Sequence, residues 1–308
     1  MYDYYIDTRE GGKFVKLELP FFYYNPKEIS FEKKIVPSME LSWLTSVLET
    51  ATQTRQSMLI LGDQGSGKST LAHGALMNRQ GTQIDLACTT TTTPRELQDL
   101  LIGGLSTRRR CVFGPSDGEI ASTFLDDLQM PNEEGRLPGG SVALQEWVLD
   151  LVAKNGFYRR EKATRGDMSW VEMKDMTVHA AHSPGRNGLT ARLLRYFRAF
   201  SLPSMTAKSI NRIFGPFLNG FFAQEGFPTA VKRLSSRLID STIVVYNEMR
   251  AALPPTPSRP HYRYSIHDIA RVAQGIMRVK PRYVQREDSL VKLWCHECSR
   301  TFHDRYTP

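Results

Sequence analysis

Hydrophobic and polar positions follow two different patterns along the chain. Residues 57–61 read SMLIL, a short apolar run typical of a buried strand, and a glycine-rich turn and the helical segment LAHGALMNR follow it. The later runs ASTFLDD and MTVHAA are also strand-like, and helices fit between them, for instance around residues 144–152. Strands that alternate with helices predict a parallel sheet covered by helices on both faces.

After about Pro203 the apolar residues follow helical spacing only. One stripe occupies positions 210, 213, 214, 217, 218 and 221, and similar stripes run through residues 231–249, 266–276 and 290–294. We therefore predict an extended lead-in over residues 1–34, an α/β domain over residues 35–203 and a small all-helical domain over residues 204–308.

Composition and charge narrow the class of protein. The chain has 308 residues, of which 41% are hydrophobic and 23% charged, as in soluble globular proteins. No long apolar run or signal-like start is present in the sequence, so we expect a cytosolic protein without a membrane partner. Forty Lys and Arg residues against 32 Asp and Glu residues give a net charge of +8, which suits polyanionic partners. Since no nucleic-acid motif accompanies this charge, we expect no nucleic-acid partner, and the run Arg108–Arg110 is interpreted as a solvated helix end.

The segment GDQGSGKS, residues 62–69, matches the phosphate-binding pattern G-x-x-x-x-G-K-[ST]. The glycines let backbone N–H groups face the phosphates, Lys68 can reach the terminal phosphate oxygens, and the Ser69 hydroxyl can coordinate Mg²⁺. The alternative, a chance glycine-rich turn, fits poorly between a predicted strand and a predicted helix. The expected nucleotide-binding residues of this loop are Gly62, Gly65, Ser66, Gly67, Lys68, Ser69 and Thr70.

Two acidic residues end the predicted strand ASTFLDD. Asp126 is placed to hold Mg²⁺ through its water shell, and Asp127 to orient the attacking water, so both are candidate catalytic residues. Many ATPases carry glutamate at the second position, and the shorter aspartate reaches the water less well. An ordinary strand end with helix-capping aspartates is the alternative interpretation.

The four cysteines are too few and too scattered to predict a disulfide framework. Cys295-His296-Glu297-Cys298 has zinc-binding residue types, but it lacks a second ligand pair at finger spacing. We therefore interpret this segment as part of a packed helix.

Several longer segments resemble the AAA+ modules of dynein heavy chains, and most of all the third module of axonemal members. They are FLDDLQMP, CVFGPSDG, GRNGLTARLLRYF, LPPTPSRPHYRYSIHDIARVAQG and LVKLWCHECSRTFHDR. The resemblance covers nearly the whole chain. It implies an α/β AAA+ P-loop NTPase domain, with a parallel sheet between helices, followed by a small helical lid, and it implies a place in a six-membered ring.

The resemblance also implies further site residues. Ile35, Val36 and Pro37 match a segment that lines the adenine pocket of the family. Arg192 and Arg195 are the two candidates for the arginine finger that reaches the nucleotide of the preceding module.

Two histidines stand at positions where the family has other sensor residues. His182 lies where relatives carry an asparagine, and His267 lies where they often carry a phosphate-contacting arginine. Because a histidine is mostly neutral at pH 7, we expect weak sensing of the γ-phosphate and slow hydrolysis.

By this resemblance the chain is an ATP- or ADP-binding module, with Mg²⁺, that regulates a microtubule motor through its nucleotide state. The alternatives are a structural ring module that holds its nucleotide permanently and an unrelated stand-alone P-loop ATPase. The implied partners are neighbouring AAA+ modules of the same heavy chain and other dynein subunits, with microtubules reached only through other parts of the motor. The isolated module is expected to be monomeric, and the motor to belong to the cytoplasmic cytoskeleton, in the axoneme of a cilium or flagellum.

Overall fold

The fold is described from a computed structural model of the chain. It covers residues 4–7, 11–16, 19, 21–25, 31, 35–77, 81–116, 119–131, 143–160, 168–184, 188–224 and 226–307. Within these ranges, the chain divides into two compact units: residues 40–203, here the α/β unit, and residues 1–39 with 204–308, here the helical unit.

The elements are numbered in chain order. The strands are β1 (Tyr4–Asp7), β2 (Lys13–Lys16), β3 (Met58–Leu61), β4 (Gln83–Ala87), β5 (Ser106–Arg109), β6 (Val112–Gly114), β7 (Ala121–Asp126), β8 (Gly156–Arg160), β9 (Met168–Met173), β10 (Met176–His182) and β11 (Arg198–Ser201). The α-helices are α1 (Met39–Gln53), α2 (Lys68–Met77), α3 (Pro94–Gly103), α4 (Ala143–Lys154), α5 (Ala191–Leu194), α6 (Ala207–Phe222), α7 (Thr229–Ala252), α8 (Ile266–Ile276) and α9 (Glu287–Phe302).

A five-stranded parallel sheet forms the centre of the α/β unit, in the order β11-β3-β10-β7-β4. Strands β3, β7 and β10 are buried almost along their whole length. This burial explains why β3 is a continuous apolar run, whereas β7 and β10 also bury the polar residues Ser122, Thr123, Thr177 and His179. Helices flank the sheet, so the predicted α/β class is confirmed. The order places β3, which leads into the glycine-rich loop, beside β10, and β10 beside β7.

A second sheet of four strands, in the order β5-β6-β9-β8, packs into the same apolar core. This sheet corrects the interpretation of Arg108–Arg110 as a helix end. Helix α3 ends at Gly103, and the chain then forms the β5–β6 hairpin, with Arg108 on β5. The guanidinium of Arg108 is 2.6 Å from the carboxylate of Asp175, so its charge is neutralised within the fold.

The helical unit has its own core. Helices α6, α7, α8 and α9 bury residues of the stripes predicted from the sequence, including Phe214, Leu238, Val272 and Leu290. The antiparallel hairpin β1–β2 precedes them in the chain. Across the parts of the chain that the structure describes, none of the helices has the length and apolar content needed to cross a bilayer.

Candidate functional site

The glycine-rich loop connects the buried strand β3 to helix α2. Gly65 and Gly67 have φ angles of 72° and 84°, in the left-handed region that glycine adopts at low cost. A Cβ at Gly62 would lie 3.1 Å from Ser66 Oγ and 3.4 Å from Leu202, so this position leaves little room for a side chain. The loop therefore takes the path that its glycines predict, and it leads directly into the first turn of a ten-residue helix.

Lys68 lies inside this loop. Its Nζ donates hydrogen bonds to the carbonyl oxygens of Gly62, at 2.8 Å, and Asp63, at 2.7 Å. Burial holds the pKa of Lys68 below its ordinary value, while the nearby carboxylates of Asp127 and Asp126 act in the opposite direction. Since an ammonium group has three donors, one N–H remains for a phosphate oxygen.

The first turn of α2 offers further hydrogen-bond donors. The first backbone N–H groups of a helix have no partner within the helix, and here the earliest α-helical bond runs from Leu71 N–H to Gly67 O at 2.8 Å. Ser69 is half-buried in this turn and Thr70 is exposed. Ser66 Oγ is buried without a hydrogen-bond partner among the described residues. The first backbone N–H groups of α2 and the Ser66 hydroxyl are therefore available as donors at the N-terminus of this helix, an arrangement that suits anion binding.

Of the two acidic residues, Asp126 ends β7 and Asp127 follows it, at the same edge of the sheet. Asp126 Oδ1 accepts a hydrogen bond from Asp127 N–H at 3.0 Å, and Asp127 has a φ of 53°, a conformation that aspartate tolerates better than most residues. Cys88, which follows the neighbouring β4, donates its backbone N–H to Asp126 O at 3.0 Å. Burial, with both carboxylates nearby, raises the pKa of the Cys88 thiol to about 12. The thiol is therefore neutral and adds no charge to this edge.

Gln129 is a residue of this edge that the sequence analysis did not single out. Its Nε2 donates to Asp127 Oδ1 at 2.7 Å, and its Oε1 accepts from Ser183 N–H at 3.0 Å. The two partners are more than 50 positions apart along the chain. Only the pairing of β7 with β10 brings them together, so no local pattern could have identified this residue.

His182 ends β10, directly opposite Leu61 at the end of β3. Its carbonyl oxygen accepts a hydrogen bond of 3.4 Å from Gly62 N–H, which ties this strand to the start of the glycine-rich loop. The imidazole is buried, and its Nδ1 has no hydrogen-bond partner within the described ranges. Burial and the charge of Lys68 both lower the pKa of His182, so the ring is neutral at pH 7.

Other expected site residues lie in the helical unit. Val36 packs with Tyr24 and Phe217, and Ile35 is half-buried. His267 is exposed in the first turn of α8, whereas the adjacent Asp268 is buried and lies 2.6 Å from the guanidinium of Arg305. Asp268 therefore stabilises the fold, and the parts of Ile35, Val36 and His267 in nucleotide binding stay predictions.

The two candidate finger arginines differ in their surroundings. Arg192, on α5, has its Nη1 3.2 Å from Glu146 Oε2 on α4, and its side chain is 68% exposed. Arg195 follows α5, and its guanidinium is 5.1 Å from the ring centroid of Tyr196. Both side chains are exposed, as a contact with another module would require. Residues 185–187 of the same expected segment lie outside the described residues.

The segment containing Cys295 and Cys298 lies on α9. Cys298 is buried in the core of the helical unit, whereas Cys295 is exposed. Among the described residues, His, Cys, Asp and Glu side chains nowhere form a group of three that could hold a metal ion.

Comparisons with known proteins match both parts of the chain. Residues 23–205 match the family described as the P-loop containing dynein motor region, and residues 217–307 match the dynein heavy chain ATPase lid domain. The chain is 31% identical to human dynein axonemal heavy chain 6 over 294 residues, which are 93% of this chain and 7% of that protein. It is also 31% identical, over 281 residues and 89% of its length, to the dynein-1-beta heavy chain of the flagellar inner arm I1 complex of Chlamydomonas reinhardtii, of which it spans 6%. Rat dynein axonemal heavy chain 5 is 27% identical over 315 residues, and the chain spans 9% of it. The chain thus corresponds to less than a tenth of each of these relatives.

Proposed function

The chain belongs to the dynein heavy chain family, as part of its AAA+ motor region, and we propose that it binds ATP or ADP with Mg²⁺ and regulates a microtubule motor through its nucleotide state. The observation that carries this proposal is the meeting of four groups at one sheet edge. Lys68 follows the loop that leaves β3, Asp126 and Asp127 stand at the end of β7, and His182 ends β10, and these three strands are neighbours in the sheet.

The residues present fit a magnesium nucleotide. Lys68 and the free N–H groups of the first turn of α2 would hold the phosphates, and the orphaned Ser66 Oγ is a further donor. Ser69 and Asp126 supply the oxygen ligands that Mg²⁺ prefers. When bound, Mg²⁺ screens the charge of the phosphate chain.

Slow hydrolysis is the second part of the proposal. Asp127 is one methylene shorter than the glutamate that many ATPases use, and its carboxylate is already hydrogen-bonded to Gln129. His182 is neutral, so it stabilises developing negative charge on the γ-phosphate less than a cation would. An arginine supplied by a neighbouring module would provide part of the missing stabilisation of this negative charge.

The ring context supplies the remaining roles. Ile35, Val36 and Pro37 would contact the adenine, and Arg192 or Arg195 would reach the nucleotide of the preceding module. The neighbouring AAA+ modules are the direct partners, and microtubules are contacted by other parts of the motor. By likeness to axonemal heavy chains, we propose that the parent motor belongs to the axoneme. We propose the third module because motifs such as FLDDLQMP and LVKLWCHECSRTFHDR resemble that module most.

A structural module that never exchanges its nucleotide is the second candidate. It is favoured because Asp127 and His182 are poorly suited to promote hydrolysis. Family membership sets aside the alternative of an unrelated P-loop ATPase. The two remaining functions differ in the lifetime of the bound nucleotide, because a regulator must release ADP on the time scale on which it responds.

Nucleotide exchange by the purified chain separates these two candidates. We expect a fluorescent ADP analogue, chased with excess ADP in the presence of Mg²⁺, to dissociate within seconds to minutes. Steady-state phosphate release should stay below about 1 s⁻¹, the low end of ordinary enzymes. ADP that stays bound through purification and does not exchange over hours would instead identify a structural module. Phosphate release faster than about 1 s⁻¹ would contradict the proposal that Asp127 and His182 make hydrolysis slow.

A further inference from the structure

The side chain of Gln129 connects two segments at the phosphate-facing edge of the sheet. It is only 3% exposed, and it follows β7 in a turn closed by a 2.9 Å hydrogen bond from Met130 N–H to Asp127 O. Its amide N–H binds Asp127 Oδ1, and its amide oxygen binds the backbone N–H of Ser183. A buried amide that donates to one segment and accepts from another holds both in a fixed geometry.

One end of this connection is the second acid. Asp127 Oδ1 receives the Gln129 donor at 2.7 Å, while the backbone of Asp127 has the left-handed φ of 53°. A carboxylate can otherwise rotate about its side-chain bonds, so the amide donor fixes which oxygen faces Gln129 and leaves the other oxygen to face elsewhere.

The other end is the strand that borders the glycine-rich loop. Ser183 follows His182, whose carbonyl oxygen accepts the N–H of Gly62. Next to the Gln129 bond, Leu128 N–H donates to Ala181 O at 3.0 Å, which continues the β7–β10 pairing beyond the strand end. A displacement of His182 is therefore coupled to Asp127 through a single intervening side chain.

Resting on the function proposed above, we propose that Gln129 is a positioning residue that orients Asp127 and couples it to the His182 end of β10. Its effect is confined to the γ-phosphate end of the nucleotide. It therefore governs hydrolysis and the preference for a triphosphate over ADP, but not the affinity for ADP itself, which depends on the loop and Lys68.

Gln129→Glu is the most selective substitution, because it keeps an oxygen to accept from Ser183 N–H but replaces the donor to Asp127 with a second carboxylate. Gln145→Glu is the matched control. Gln145 is also 3% exposed, and its amide donates to Gly188 O at 3.0 Å and accepts from Thr190 N–H at 3.3 Å, both backbone partners away from the acids.

The experiment measures three quantities for the wild type and both variants: the Kd of MgADP, the Kd of MgATPγS and the single-turnover rate with ATP. For Gln129→Glu we expect a fall of at least about tenfold in one of two quantities: the ratio of the ATPγS affinity to the ADP affinity, or the single-turnover rate. The reason is that displacing a catalytic group lowers the rate of an enzyme by about that factor or more. The Kd for ADP should change less than about threefold. Gln145→Glu should leave both the ratio and the rate near the wild-type values.

Two results would overturn the inference. One is a Gln129→Glu variant with wild-type turnover and wild-type nucleotide preference; the other is a parallel loss of ADP affinity, which would mean that Gln129 only supports the fold. A wild type that binds ADP but neither hydrolyses ATP nor distinguishes ATPγS from ADP would also overturn it. A wild type that binds no nucleotide would instead contradict the proposed function.

Discussion

At the scale of single residues, Lys68 combines burial with a charge that phosphate binding needs. Only 5% of the residue is exposed, and burial holds its pKa below the ordinary 10.5. In the structure two loop carbonyls and the nearby acids keep the ammonium charged. A polyphosphate adds negative charge next to the ammonium, so nucleotide binding raises the pKa of Lys68 and takes up a proton at high pH.

The affinity for ADP should therefore depend on pH on the alkaline side. The affinity for ADP has its full value when the pH is below the pKa of Lys68 in the free protein, which lies below 10.5. The affinity falls as the pH rises through this pKa, because the ammonium group then loses its charge. Titrations with MgADP between about pH 7 and pH 10 test this, with Lys68→Met as the control that cannot titrate. Equal pH dependence in the two proteins would show that another group is responsible.

Residue patterns predicted part of this site and missed another part. The loop at residues 62–69 and the acids Asp126 and Asp127 are local motifs, and the structure places them at one sheet edge. Gln129 escaped because its role exists only through the pairing of β7 with β10. Arg108 was misinterpreted because nothing near it in the sequence reveals Asp175 as its partner.

At the scale of elements, segment 21–25 and helix α6 of the helical unit lie very close to each other. A Cβ at Gly220 would overlap the carbonyl oxygen of Tyr24. The rings of Phe22 and Tyr24 pack against Phe217, one turn earlier, with centroid distances of 5.8 and 4.7 Å. Gly220 is thus the position where segment 21–25 crosses the helix.

Gly220→Ala should displace segment 21–25 and lower the free energy of unfolding by about 1–3 kcal/mol, the cost of overpacking a filled site. Gly103→Ala, at the end of α3, is the control, because a Cβ there would meet no atom of the described residues within 4 Å outside its chain neighbours and its own helix. That substitution should be neutral or stabilise by up to about 1 kcal/mol. Urea denaturation, with hydrogen exchange of segment 21–25, measures both effects; equal stability of the two variants would contradict the close approach.

Element prediction succeeded where apolar residues repeated with helical spacing or formed a continuous run. The stripes of α6 to α9 repeat over three or more turns, and β3 reads MLIL, an unbroken apolar run. The sheet β5-β6-β9-β8 was not predicted, because β5 reads STRR and β8 reads GFYRR, without the apolar run that marks β3. The hairpin β1–β2 was missed because its strands, YYID and KFVK, mix apolar with charged residues within four positions.

At the scale of the whole molecule, the chain is a small part of its relatives, spanning 6–9% of three of them. A nucleotide site between modules would take its finger from a neighbour. Arg192 forms an ion pair with Glu146 at 3.2 Å, whereas Arg195 makes a cation–π contact with the ring of Tyr196. To reach a nucleotide, Arg192 would have to break its ion pair and Arg195 would have to leave an aromatic ring.

Alanine substitutions at Arg192 and Arg195, made one at a time in the parent heavy chain, identify the finger. The finger variant should slow ATP hydrolysis by the preceding module at least about tenfold, and the other should change it little. Nucleotide turnover assigned to that module is the measurement. Unchanged turnover in both variants would rule out a finger in this segment.

The most direct measurement of the central claim is a calorimetric titration of the purified chain with MgADP, repeated for Lys68→Ala and for Lys154→Ala. Lys154 is an exposed lysine of the same unit that pairs with Asp150, so its variant controls for the loss of one positive charge. The wild type and Lys154→Ala should bind alike, and Lys68→Ala should bind at least about tenfold more weakly, a loss of about 1.4 kcal/mol. Absence of binding by the wild type, or equal binding by all three proteins, would contradict the assignment of this loop as the nucleotide site.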